Sequence, residues 1–397
     1  MTDCGIAVIG SGVAGLMAAI AAADAPNTVL FTDGPLGRSN SSMAQGGLQL
    51  PPPGAEALER FGDDMRRSAR VPLDADRVAA FVAHVDETIA CLVDWGLALD
   101  RDAQGEVVRR LAGGLSEARI VSSRDQIGPA IMKLLLGRVR AAPVHVVDHA
   151  RVVDVRPADR GFDLAVERGG GAREHWHARA VVCCTGGITY REARRRGLPS
   201  TNPANENHVL FDRLAAAGLP LEHADFFQFQ PYGLAESGRE PVGRCVPESI
   251  VNFQVRLLDR HGAVVGEIGQ DRYELTQRMF ASAEQGRAVR LDDGSPGLWL
   301  TLGAVDPDAL HRHFPKLVQY LERHGKVGED VLVFPFLHYY LGGFRVDARC
   351  ESPWPGLFLA GEMVGGLHGR NRLMGNGITD SLVHGRLAGR AAREYVA

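Results

Sequence analysis

Three glycines near the N-terminus have the types and spacing of a phosphate-binding turn. Residues 6–15 read IAVIGSGVAG, an apolar strand that runs into Gly10-x-Gly12-x-x-Gly15 and then into an alanine-rich helix. Gly10 permits the tight turn, Gly12 lets the backbone approach a pyrophosphate, and Gly15 lets helix and strand pack closely. The helix start at Val13 and Ala14 offers unpaired N–H groups and the positive end of the helix dipole. A glycine-rich turn of an ordinary α/β domain is the bland alternative. A second strand at Thr28–Thr32 closes the unit, and strand, turn, helix and strand together point to a dinucleotide. A similar strand-and-turn signal, AVVCCTGG, ends at Thr185, Gly186 and Gly187.

The elements around these turns follow from periodicity. Apolar residues Val78, Phe81, Val82, Val85, Ile89, Leu92 and Val93 at helical spacing predict helix across most of 55–97, and a further amphipathic helix covers 123–139. Short strands are expected at Val144–Val147 and Val152–Val155. From about 235 the texture becomes mixed strands and polar turns, with His261-Gly262 and Asp293-Gly294 as turn candidates. After 330 short strands return (VLVFPF, GLFLAGE), followed by a glycine-dense loop and a last helix. This order suggests a segment inserted into a nucleotide-binding domain. The expected division is 1–235 and 330–397 for the nucleotide domain and 236–329 for a capping domain.

Composition narrows the function classes. A chain of 397 residues, 45% hydrophobic and 23% charged, is an ordinary globular protein with room for two domains. A net charge of −4 leaves no electrostatic footprint for nucleic acid or an anionic membrane. The opening MTDCG has no basic segment, and the apolar run Val13–Ala23 is too short to span a bilayer, so a cytoplasmic location is expected. Six cysteines without a C-x-x-C pair suggest neither zinc nor an iron–sulfur cluster. Cys183 and Cys184 lie in an apolar strand, where burial is the simple reading.

The motifs together resemble the flavoprotein family of L-aspartate oxidase, soluble fumarate reductase and the succinate dehydrogenase flavoprotein subunit. The resemblance spans nearly the whole chain: the glycine turn, SSMAQGG (41–47), CTGG (184–187), FQFQP (227–231), HYYLGG (338–343) and LFLAGEMVGGLHGRNRLMGNGITDSL (357–382). It implies an α/β fold with a Rossmann-like FAD domain of glutathione-reductase type, interrupted by an α+β cap that closes over the flavin. By that resemblance Ser39, Ser41, Ser42, Ala44, Gln45, Gly46 and Gly47 would run along the flavin. Glu362, after Gly361, would bond the ribityl chain, and Arg372, Asn376, Gly377 and Ile378 would complete the cofactor wall. Thr32 or Asp33 stands where the ribose-binding acid is usual.

Departures from the pattern are as informative. Asn40 occupies the place of the histidine through which some members attach FAD covalently, so non-covalent FAD is expected. The chain also stops soon after its last helix, so a docked iron–sulfur partner is not expected. His338 and Arg372 match the family's carboxylate anchors, and Arg suits the role because its planar fork grips a carboxylate with two bonds. Their alternatives are a core histidine and a structural ion pair. The second substrate histidine becomes Gln230, and the glutamate that L-aspartate oxidases place before Gly-Gly becomes Ala112. The proton-shuttling arginine falls near Asp271-Arg272-Tyr273-Glu274, with Tyr273 in best register and Arg272 one place off. Its relay glutamate corresponds to Glu248.

The expected function is therefore an FAD-dependent dehydrogenase or oxidase. It would oxidise a small carboxylated substrate, such as an amino acid or dicarboxylate analogue but not L-aspartate, by hydride transfer to flavin N5. Tyr273, Arg272 or Glu248 would take the accompanying proton. Electrons would pass to oxygen, a quinone or another small acceptor. The alternatives are reduction of an activated alkene, or an inactive electron-transfer or scaffold flavoprotein.

Overall fold

Unbroken apolar runs such as IAVI and AVVC mark strands covered on both faces, and both lie at the centre of one sheet. The computed structural model describes residues 2–124, 126–204, 208–240, 242–266 and 271–397. Strand β1 (Thr2–Ile9) pairs in parallel with β2 (Thr28–Phe31) on one side and with the strand Arg173–Cys183 on the other. Helix α1 (Val13–Ala21) links β1 to β2. Among the described residues seven strands form this sheet. Val144–Val147 extends it beyond β2, Leu357–Leu359 joins beside the end of Arg173–Cys183, and Ala150–Ala158 and Gly161–Arg168 add an antiparallel meander.

Helices cover the sheet. The last helix, Asn376–Val396, crosses α1 so closely that a Cβ on Gly385 or Gly389 would meet the α1 carbonyl oxygens at 2.4 and 2.3 Å. The expected helical stretch 55–97 is two helices, Ala55–Ala69 and Ala75–Asp94. Arg70 turns into the left-handed region, and the Asp74 carboxylate restarts the helix by accepting from the Asp76 and Arg77 N–H groups. The helix expected over 123–139 begins at Ile127.

A second, antiparallel sheet carries the cap. Its order is Phe227–Leu234, Val331–Tyr340, Pro296–Leu300, Leu257–Leu258 and Val264–Gly266, with Val289–Arg290 on the side of Pro296–Leu300. The first two strands form a long ribbon that runs from one core to the other. Phe227 and Tyr340 at one end pack with the core of the large sheet, while Leu234, Val331 and Val333 at the other belong to the cap's own core. The boundaries expected at 235/236 and 329/330 thus fall at the cap end of this ribbon.

Cys183 and Cys184 are buried, and burial pushes the Cys183 thiol up to about 12, which leaves it inert. Among the described residues, no helix is long and apolar enough to cross a membrane.

Candidate active site

A cavity of about 790 Å³ runs from the glycine turn, along the ribbon, to the cap. At the turn the three glycines have distinct geometry. Gly10 has φ +108°, and a Cβ there would lie 2.3 Å from the Cys184 carbonyl oxygen. A Cβ on Gly15 would lie 1.8 Å from the Gly10 oxygen. Both positions are closed by the protein itself. Gly12 is different: its backbone is extended, and a Cβ would meet nothing nearer than the Ser41 hydroxyl at 3.4 Å. It would project into the cavity. Gly12 is also the residue before α1 and supplies no side-chain cap, so the helix N-terminus opens on the cavity.

The remaining wall suits a long cofactor. Thr32, Asp33, Ser39–Gly47, Thr185–Gly187, Gly361, Glu362, Gly377 and Ile378 all line it. Thr32 is buried and bonded to Ser11 at 2.7 Å, whereas Asp33 is exposed and paired with Arg151. Glu362 Oε1 accepts from the Tyr340 N–H and the Thr189 hydroxyl, both at 2.9 Å, and burial raises its pKa. Gly15 and Asn376 do not line the cavity. Gly15 packs beneath the turn, and Asn376 lies buried between the wall residues Gly375 and Gly377.

At the ribbon the cavity gains its ionisable side chains. Gln228 pairs with Tyr339 and Phe229 with Leu337, so His338 is the extra residue of a β-bulge, a device that re-aims a side chain. Its Nδ1 lies 2.7 Å from the Thr201 hydroxyl, which is placed by bonds between Leu337 and the Pro199–Thr201 segment. Burial, with Arg272 and Arg372 nearby, holds the His338 pKa well below the ordinary value. The ring is neutral. Arg372, 6% exposed, stacks its guanidinium 4.4 Å from the Tyr339 ring centre. It has one long bond, from Nη1 to the Leu373 oxygen at 3.4 Å, and its buried Nε has no partner. Burial and Arg272 lower its pKa to about 10, so it remains charged at neutral pH. No carboxylate pairs with Arg372 among the described residues.

The cap helix Arg272–Glu284 begins at Arg272, with Asp271 as its cap. The Arg272 Nε and Nη2 donate to Glu248 Oε2 at 2.6 and 2.5 Å, and Nη1 reaches Gln228 Oε1 at 3.3 Å. Tyr273 does not line the cavity. One helical residue further on, it is turned by about 100°, and its ring lies beneath Arg70 at 5.1 Å. Of the two adjacent candidates, Arg272 and not the better-registered Tyr273 lies on the cavity wall. Gln230 lines the cavity, and Gln228 on the same strand ties the Arg372 carbonyl and Asn371 to the ribbon. Ala112 lies elsewhere, in a crevice that shares Arg272 and Glu248 with the main cavity. Thr201 and Asn202 were missed, because their segment has no periodicity or motif. Tyr339 and Gln228 were within reach: each stands beside or two residues from a residue already singled out.

Comparison with known proteins decides the family. The FAD binding domain family matches residues 5–378. The chain belongs to this family. As an FAD-dependent oxidoreductase of the FAD binding domain family it resembles two kinds of curated relative. L-aspartate oxidase of Synechocystis is 29% identical over 395 residues, covering 95% of this chain and 68% of that one. The fumarate reductase flavoprotein subunit of Escherichia coli is 30% identical over 421 aligned positions, covering 99% and 68%. Among solved structures, a quinol–fumarate reductase with menaquinol molecules superposes with a TM-score of 0.90 at 26% identity, covering 100% of this chain and 71% of that one. FAD is the cofactor, and the family members' fold is the one described above.

Proposed function

We propose that the protein exchanges hydride between FAD and a small carboxylate, with Arg372 as the carboxylate anchor. The observation that carries this reading is a buried guanidinium on the cavity wall with an unpartnered Nε and no counter-charge. A buried charge without a partner is costly, and an arriving carboxylate supplies one through two charge-assisted hydrogen bonds. FAD supplies the two-electron, hydride-accepting ring. Asn40 offers no imidazole for a covalent link, so the cofactor is held by the glycine turn, the Ser39–Gly47 segment and Glu362.

The neutral His338, fixed through Thr201, orients the substrate beside Arg372. Arg272, clamped to Glu248, is the proton carrier on the cap side, and the pair can serve in either direction. Oxidation of a saturated substrate and reduction of an activated alkene therefore use the same groups. L-aspartate is a poor fit. Among the described residues the carboxylates lining the cavity are Asp33, Glu248 and Glu362, and each already has partners, which leaves none for an ammonium.

Paired lysine variants test the anchor. Arg372→Lys keeps the charge and loses the fork, so flavin–substrate hydride transfer should slow by at least about tenfold, 1.4 kcal/mol, in a protein that still carries FAD. Arg370 is the control. It is exposed, its guanidinium 4.0 Å above the Phe226 ring, and Arg370→Lys should react close to wild type. Equal losses in the two variants would remove Arg372 from the role.

A further inference from the structure

Beyond Arg372, the substrate end of the cavity holds polar atoms of a particular kind. Gln230 is 7% exposed and its Oε1 has no hydrogen-bond partner; Asn202 is 5% exposed and its Nδ2 has none. Both residues line the cavity, as do Thr201 and His338. An empty acceptor and an empty donor, both buried, are each costly until matched.

Charge at this end is equally specific. The buried arginines on the wall are Arg272 and Arg372. Arg272 is neutralised by Glu248, and His338 is neutral. The remaining cations of the cap side, Arg244, Lys316 and Arg323, are exposed. Among the described residues there is thus one uncompensated buried cation for one anionic group. A second carboxylate beside Gln230 would be buried against amides, which offer N–H groups but no opposite charge, whichever way their side chains are turned.

We propose that the substrate is a short ω-carbamoyl carboxylate: a carboxylate at one end, held by Arg372, and a primary carboxamide at the other. The amide N–H₂ donates to Gln230 Oε1, and its carbonyl oxygen accepts from Asn202 Nδ2. Gln228 Nε2 donates to the Arg372 carbonyl oxygen, and Gln230 lies two residues along the same strand on the same face, so Gln230 and Arg372 belong to one stretch of the cavity wall. The carbonyl bonded to Asn202 also activates the adjacent C–H for removal, or a conjugated alkene for reduction. This inference rests on Arg372 as the carboxylate anchor.

Ligand binding to the FAD-loaded enzyme, read as a perturbation of the flavin absorbance, tests it with two probes that differ only in the second group. Succinamate should bind at least about tenfold more tightly than succinate, and Gln230→Leu, checked for full FAD content, should bring the two within about threefold. Succinate binding as tightly as succinamate, or a preference that survives Gln230→Leu, overturns the carboxamide inference and leaves the anchor standing. Failure of both probes to bind overturns the anchor and this inference with it. If Gln230→Leu loses FAD, Gln230→Met, which also lacks the acceptor oxygen, replaces it, and its preference for succinamate should likewise disappear.

Discussion

His338 acts as an uncharged group. Its ring sits in a bulge, bonded to Thr201, with two arginines on the same cavity, and both burial and those charges oppose a proton. Because the folded-state pKa is lowered well below 6.5, the ring is neutral at every pH above that range, and no imidazole titration should reach the substrate between pH 6 and 8. Carboxylate affinity over that interval should be flat on account of this residue. A break near pH 6.5 that vanishes in His338→Asn would show instead that the charged ring binds substrate. At this scale much of the cavity wall was legible. The glycine positions, Glu362, His338 and Arg372 all announce themselves by type inside a motif. Arg272 and Tyr273 could not be separated by sequence because they are adjacent, and only the start of the cap helix decides which one faces inward. Thr201 and Asn202 come to the site through long-range pairing with Leu337, which leaves no local trace.

Two elements do most of the positioning, the glycine turn with α1 and the ribbon Phe227–Leu234 with Val331–Tyr340. The turn separates folding from binding in a testable way. Gly12 has an allowed backbone for any residue and room for a Cβ, so Gly12→Ala should fold with near wild-type stability and lose FAD. Gly15→Ala drives a Cβ into the Gly10 carbonyl, and the apoprotein itself should be destabilised by a few kcal/mol, about 1–3 by overpacking alone. Urea unfolding of the apoproteins with flavin content of the holoproteins checks both. A Gly12→Ala protein with stoichiometric FAD would mean that the cofactor does not approach that backbone. The ribbon was harder to read. Its FQFQP and HYYLGG runs were visible as motifs, but not the continuation of the same two strands into the cap core at Leu234, Val331 and Val333. Alternation within a strand says which face is buried but not that its two ends serve different cores, which is a property of the assembled sheets.

The whole molecule joins an orthodox cofactor half to an unusual substrate half. The large sheet, α1 and the last helix hold the cofactor wall through close glycine contacts, and these are strong sequence signals because few residues can replace glycine there. The proposed substrate half has buried polar atoms left open at Arg372, Gln230 and Asn202, and such an arrangement emerges only when distant segments converge. Other buried charges are compensated internally: Arg119 meets Asp64, and Asp380 lies between His368 and His384. Arg372 stands apart from these pairs.

The most direct test of this account is the anaerobic half-reaction. The oxidised enzyme is mixed with saturated small carboxylates, their uncharged amide and ester analogues, and L-aspartate, and the chemically reduced enzyme with the corresponding unsaturated compounds, while the flavin absorbance is followed. Compounds with one free carboxylate should exchange electrons with the flavin, analogues without a carboxylate should react at least about tenfold more slowly, and L-aspartate should be among the slow ones. Uncharged analogues reacting as fast as their carboxylates, or L-aspartate reacting fastest, would contradict it.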